Sequence, residues 1–219
     1  MLFKFLVLIP FIVFSVVLLK GCSGGQLLSA ISITSAKCVA RDVIYEPNKM
    51  LAADIYYTKT ANSVGNSPES TCENNSHKPS LSTSKQEPLI KPPTLIFIFG
   101  GGWQQGNKTE YGFVADAFIK QGYNVVIPNY RLYPVAAYPS YIEELAVFMQ
   151  WFANNADTLG LSKKQVHLMG HSAGAYNIAM YLLNDKYKKP IGIDAFVGLA
   201  GPYYYFLPTQ DPKYINIFT

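Results

Sequence analysis

A serine sits at the centre of Gly170-His171-Ser172-Ala173-Gly174, in surroundings suited to nucleophilic chemistry. The run Gln165-Val166-His167-Leu168-Met169 before it reads as a strand, and Tyr176 to Leu183 after it reads as a helix. G-x-S-x-G forms a nucleophile elbow when a strand delivers the serine and a helix carries the chain away. Small residues leave room in so sharp a turn, and the helix N-terminus behind the serine favours developing negative charge. The competing reading is a chance turn with a surface serine. Upstream, Phe99-Gly100-Gly101-Gly102-Trp103 directly follows the strand-like Thr94-Leu95-Ile96-Phe97-Ile98. Glycines just past the carboxyl end of a strand expose backbone N–H groups without Cβ obstruction, as stabilisation of an oxyanion requires. Their spacing fits neither G-x-G-x-x-G nor the P-loop with its Gly-Lys-Ser/Thr ending, which argues against nucleotide binding.

The elements that must position these motifs are legible along the chain. Val39 to Tyr45 and Leu51 to Tyr57 read as strands joined by the turn Glu46-Pro47-Asn48-Lys49, opening a sheet in antiparallel fashion. Residues 58–93 are rich in Ser, Thr, Asn, Pro and Lys without hydrophobic periodicity, and are expected to form a solvated, disordered insertion. From Pro93 onward strand and helix alternate, the pattern of a mainly parallel sheet with helices on both faces. Thr94 to Ile98 is a strand, Gly112 to Gln121 a helix, Tyr123 to Pro128 a strand, and Asp194 to Leu199 a further strand. In the helix expected from Tyr141 to Asn155, Leu145, Phe148, Met149 and Phe152 make one apolar stripe that reads as core.

The two motifs, in this order, resemble the α/β-hydrolase superfamily, and within it the carboxylesterases related to hormone-sensitive lipase and the feruloyl-esterase-like group. The likeness runs from about Arg41 to Thr219 and takes in Asn129-Tyr130-Arg131-Leu132 and Gly201-Pro202-Tyr203. It implies an α/β three-layer sandwich on a mostly parallel sheet, spanning residues 39–219, with no cofactor and a small-molecule ester as substrate. It also implies Ser172 as nucleophile, with the backbone N–H groups of Gly101, Gly102 and Ala173 as the oxyanion hole. The family usually begins the glycine motif with His, where this chain has Phe99, so side-chain hydrogen bonds that would orient the loop are in question.

A serine hydroxyl needs a histidine base within hydrogen-bond reach, itself oriented by a carboxylate, and the superfamily order is Ser, Asp or Glu, then His. No histidine follows Ser172. His77 falls in the polar insertion, His167 inside the elbow strand and His171 beside the nucleophile, and each reads as structural rather than catalytic. Asp194 stands at a strand start and Asp211 in Gln210-Asp211-Pro212, neither at the strand end where the resemblance places the acid. The expectation is a hydrolase truncated at its C-terminus, with triad acid and histidine not present in the chain. Its sheet would be incomplete at that edge, exposing an apolar pairing surface.

With 219 residues, 49% hydrophobic and 14% aromatic, the chain suits one globular domain. The formal charge is +4, but Lys4 and Lys20 lie in a segment expected to be removed, leaving 16 basic against 14 acidic residues, too little to suggest nucleic acid. Residues 1–21 read as an export signal, with Lys4 followed by the apolar run Phe5 to Leu19. Leu19-Lys20-Gly21-Cys22 resembles a bacterial lipobox, implying lipidation of Cys22, membrane attachment in the cell envelope, and residues 22–38 as a tether; Lys20 departs from that pattern. A cleaved periplasmic or secreted form and an uncleaved anchor are the alternatives, the apolar run being shorter than the ~20 residues a spanning helix usually needs. Cys38 and Cys72 then make an even pair, either bridged or as free thiols. No metal-ligand spacing links Cys and His residues.

Two classes of function follow. One is an exported serine esterase acting on short or aryl carboxylic esters, with an arylformamidase-type amidase as its variant. The other is a non-catalytic remnant or binding module that keeps the ester pocket without acid and base. The aromatic run Tyr203-Tyr204-Tyr205-Phe206 fits either an aryl-ester site or the packing of a cap.

Overall fold

In a computed structural model of the chain, residues 38–58, 91–203 and 212–218 are described. The export segment with Cys22, nearly all of the polar insertion with Cys72 and His77, and the segment holding Tyr204, Tyr205, Phe206 and Asp211 lie outside the described residues. Strand β1 (Cys38–Glu46) and the fully buried β2 (Leu51–Tyr57) pair antiparallel. Between them Pro47–Lys49 makes a 3-10 turn, pre-set by proline at its start, and ends at Met50 in the left-handed region with φ 52. β3 (Thr94–Ile98), β4 (Asn124–Pro128), β5 (Val166–His171) and β6 (Ala195–Leu199) follow, giving a six-stranded sheet in the order β1-β2-β4-β3-β5-β6. β4, β3, β5 and β6 are mutually parallel, and β2 joins β4 antiparallel. β3 and β4 are buried along their whole length, as their unbroken apolar runs require of strands covered on both faces.

Right-handed crossovers fix the layers. The chain steps one way from β3 through helix α1 (Gly112–Ile119) to β4, then the other way through α2 (Ser140–Asn155) to β5 and through α3 (Ala173–Leu183) to β6. Helix α1 therefore lies on one face and α2 with α3 on the other. The stripe Leu145, Phe148, Met149 and Phe152 of α2 is buried, as its spacing predicts. At the outer edge, β6 exposes Val197 at 49% and Leu199 at 42%, so the apolar edge expected from the sequence is present on the described residues. A last helix, α4 (Pro212–Phe218), packs beside the start of α2, where the carbonyl of Ile217 accepts from the Tyr138 N–H at 2.7 Å and the Tyr141 hydroxyl at 2.9 Å.

A buried ionic group joins the sheet's antiparallel end to the loop after β3. Lys108 Nζ lies 2.6 Å from Asp54 Oδ1 on β2 and 2.6 Å from Asp42 Oδ1 on β1, while Arg41 holds the other Asp54 oxygen at 2.9 Å. Burial opposes the Lys108 ammonium, but its hydrogen bonds to Asp42 and Asp54 more than offset that and raise its pKa. A charge so placed is tolerable only because each partner is satisfied. This group is invisible to periodicity, since Asp54 interrupts an otherwise apolar strand and Lys108 opens a single 3-10 turn, Lys108–Tyr111.

Candidate active site

Parallel pairing of β3 with β5, in the register Ile98 with Gly170, sets the carboxyl ends of the two strands side by side. The glycine loop and the serine elbow each leave one of those ends, so motifs far apart in sequence become neighbours. Ser172 takes φ 50 and ψ −118, a strained backbone for a residue with a side chain. The fold over-determines that corner: the Ser172 N–H donates to the Leu199 carbonyl of β6 at 2.7 Å, and α3 begins at the next residue. The helix therefore starts at Ala173, three residues earlier than the sequence predicts. Small Ala173, Gly174 and Ala175 carry little periodic signal, and it is packing that winds them. Ala173 thus presents one of the first-turn N–H groups that lack an intrahelical acceptor.

The glycines are explained by proximity. A Cβ on Gly174 would stand 2.1 Å from the Ile98 carbonyl oxygen and 2.5 Å from that of Phe99, and one on Gly100 would stand 3.0 Å from Ser172 Cβ. Loop and elbow are thus in backbone contact. Gly101, at φ +126, turns the loop so that its carbonyl accepts from the N–H groups of Gln104 and Gln105, each at 3.2 Å.

Bracing of the loop does not need the histidine that Phe99 replaces. Phe99 stacks on Tyr130 with ring centroids 4.6 Å apart, and the Tyr130 hydroxyl donates to the Phe99 carbonyl at 3.0 Å. The neighbouring members of the Asn129 to Leu132 motif have parallel duties. Asn129 Oδ1 accepts from the Lys108 N–H at 2.8 Å, and Arg131 binds the fully buried Glu144 of α2 through Nε and, at 2.8 Å, through its backbone N–H.

Trp103, at the loop's end, is 4% exposed and sits edge-on to Tyr176, Tyr214 and Phe218 at 5.4, 5.9 and 4.9 Å. Its indole Nε1 donates to Asn177 Oδ1 on α3 at 2.9 Å. Asn177 is fully buried, and its Nδ2 has no hydrogen-bond partner, an omission that costs about 1–3 kcal/mol. Tyr214 of α4 reaches the glycine loop, with its hydroxyl 4.0 Å from the point where a Cβ of Gly102 would be. Burial, with a smaller contribution from Tyr138, pushes the Tyr176 phenol up to about 12, and burial also raises Tyr130 and Tyr141. These phenols therefore stay protonated near neutral pH, and those of Tyr130 and Tyr141 donate to the Phe99 and Ile217 carbonyls.

Of the remaining candidates, the structure sets His167 and Asp194 apart from Ser172 and leaves His171 beside it. His167 lies toward the opposite end of β5 and packs its ring on Tyr123 at 5.5 Å, and Asp194, beside it, accepts from the Val166 N–H at 3.2 Å. His171 is exposed, with Nδ1 lying against Gly100. Tyr203 folds back over Gly198 and Gly201, with its ring against β6. Cys38 is disulfide-bonded, and Cys72 lies outside the described residues. Among the described residues no group of three or more His, Cys, Asp or Glu could hold a metal ion, and no helix is long and apolar enough to cross a membrane. Asn177, Asp54 and Glu144 escaped the sequence reading, a polar residue amid apolar neighbours being the only signal, as did Lys108, which carried none; Trp103 entered it only as the end of the glycine motif.

Comparison with known proteins agrees with this fold. The family model described as BD-FAE matches residues 82–202, more than half of the chain. Esterase LipC of Mycobacterium tuberculosis is 30% identical over 129 residues, which are 54% of this chain and 32% of that protein. Kynurenine formamidase of Drosophila melanogaster is 26% identical over 91 residues, 42% of this chain and 30% of that protein. The matches thus span about a third of the length of these curated relatives. Among solved structures, Thermogutta terrifontis esterase 2 phosphorylated by paraoxon aligns with a TM-score of 0.53 at 16% identity, covering 77% of this chain and 58% of its own, a likeness of fold alone.

Proposed function

Because the chain belongs to the BD-FAE family of α/β hydrolases, we propose that it supplies the nucleophile and oxyanion hole of a serine carboxylic-ester hydrolase. The observation that carries this reading is Ser172, held at φ 50 on the β5–α3 corner with the glycine loop in contact with it. In the proposed reaction Ser172 Oγ attacks the ester carbonyl, its proton passes to a base, and an acyl-serine forms as the alcohol leaves; water then releases the acid. The carbonyl oxygen becomes an oxyanion that the N–H groups of Gly101, Gly102 and Ala173 stabilise. On this reading neither His167 nor His171 is that base, and the ring of His167 packs instead on Tyr123 at the far end of β5.

An amide of the arylformamide class is the second substrate reading, supported by the similarity to a kynurenine formamidase. The same nucleophile and oxyanion hole would serve both, with the leaving group as the difference. A fluorophosphonate probe is expected to label Ser172 where a base is present and to leave Ser172→Ala unlabelled, and labelling of this chain that is lost in Ser172→Ala would sink the non-catalytic reading. Equal labelling of both proteins would sink the nucleophile assignment, and ester-product binding without any labelling would favour the non-catalytic binding module.

Export belongs to the same proposal. It is supported by the disulfide at Cys38, because such bonds persist in oxidising compartments. Cys38 in protein from its native source should resist alkylation until a reductant is added; ready alkylation without reductant would count against export.

A further inference from the structure

The donors assigned to the oxyanion hole come from two separate pieces of chain, the glycine loop and the first turn of α3. The β3–β5 ladder ends at Ile98 and Gly170, before either piece begins. Beyond the ladder, the side-chain hydrogen bond that crosses from one piece to the other is Trp103 Nε1 to Asn177 Oδ1, at 2.9 Å and with both residues buried. Trp103 directly follows Gly102, and Asn177 lies one helical turn after Ala173, so the bond ties together the residues next to both sets of donors. Indole N–H is a donor only, which fixes the amide so that its oxygen faces Trp103. The Asn177 amide group then has no protein partner, and an apolar side chain in its place would in turn orphan the buried indole N–H of Trp103. Asn177 is thus costly to stability as it stands, and the tie is what it gains. Trp103 is held from its other side as well, its carbonyl accepting from the Tyr133 N–H at 2.7 Å.

We propose that Trp103 and Asn177 form a positioning pair that sets the separation between the N–H groups of Gly101 and Gly102 and that of Ala173, an inference that rests on the oxyanion-hole reading above. Donors must meet the developing oxyanion within a few tenths of an ångström, so slackening the tie weakens binding of the transition state more than binding of the ester.

The test uses Trp103→Phe, Asn177→Leu and the double variant, with hydrolysis of p-nitrophenyl butyrate and thermal unfolding as readouts. Each single variant is expected to lower kcat about tenfold with KM changed less than about twofold, and the double variant to fall no further than the singles. The double variant, which removes both polar groups, should melt above Trp103→Phe although its kcat is no higher, which separates positioning from a merely structural role. Butyrate binding, followed by tryptophan fluorescence in the Ser172→Ala background, needs no catalytic base; its dissociation constant should rise about tenfold on adding Asn177→Leu. Unchanged kcat, losses that multiply in the double variant, unchanged butyrate affinity, or no butyrate binding at all would each overturn the pair. Hydrolysis that persists in Ser172→Ala would instead defeat the serine reading, and the butyrate titration would still report on the tie.

Discussion

Replacing Ser172 by glycine is expected to yield a more stable protein that no longer turns over ester. Ser172 sits at φ 50 and ψ −118, where a Cβ costs on the order of 1–3 kcal/mol. Glycine removes most of that strain while adding freedom to the unfolded chain, so the net gain is about 1 kcal/mol. For a domain of this size that corresponds to roughly 2–4 °C in Tm. Ester turnover dependent on Ser172 should fall by about 10⁴-fold or more, since the remaining oxyanion donors cannot replace the nucleophile. Ser172→Ala is the companion, because it loses the hydroxyl but keeps the Cβ; its Tm should stay near wild type. Should the glycine variant melt below the alanine variant, the corner is not strained and stability was not exchanged for placement of the serine.

A large loss of stability should come from Gly174→Ala. A methyl group there would stand 2.1 Å from the Ile98 carbonyl oxygen and 2.5 Å from that of Phe99, both backbone atoms at the end of a buried strand. Neither can move without breaking β3 away from α3, so the cost is about 4 kcal/mol or more, at the upper end of single substitutions. Urea unfolding would read this as a large drop in midpoint, or the variant would fail to accumulate in soluble form. Gly192→Ala is the matched control, because a Cβ there meets nothing within 4 Å and should leave the midpoint near wild type. Equal midpoints for the two variants would mean that loop and elbow are not in backbone contact.

Much of the scaffold was legible because its signals are local. Unbroken apolar runs bounded by Pro, Gly and Asn mark β3 and β4, and the turn at Pro47 separates β1 from β2. The stripe on α2 shows its buried face in four residues. The start of α3 was misplaced because Ala173, Gly174 and Ala175 are too small to register in a hydrophobic pattern, yet they are what lets the helix reach the end of β3. Phe99 illustrates a different limit. Its departure from the family's histidine left the orientation of the loop open, and the answer came from Tyr130, 31 residues away, by stacking and a hydrogen bond to backbone.

The sequence by itself determined the family, the nucleophile candidate and the glycine loop, because a tight turn and a Cβ-free loop impose residue types at fixed local spacing. Tertiary structure alone decided what holds them: Trp103 on Asn177 across 74 positions, Lys108 on Asp54 across 54, Arg131 on Glu144 across 13. These are pairings of single polar groups inside apolar surroundings. Their partners are chosen by which strand ends the sheet order brings together, and no pattern of spacing along the chain encodes that choice.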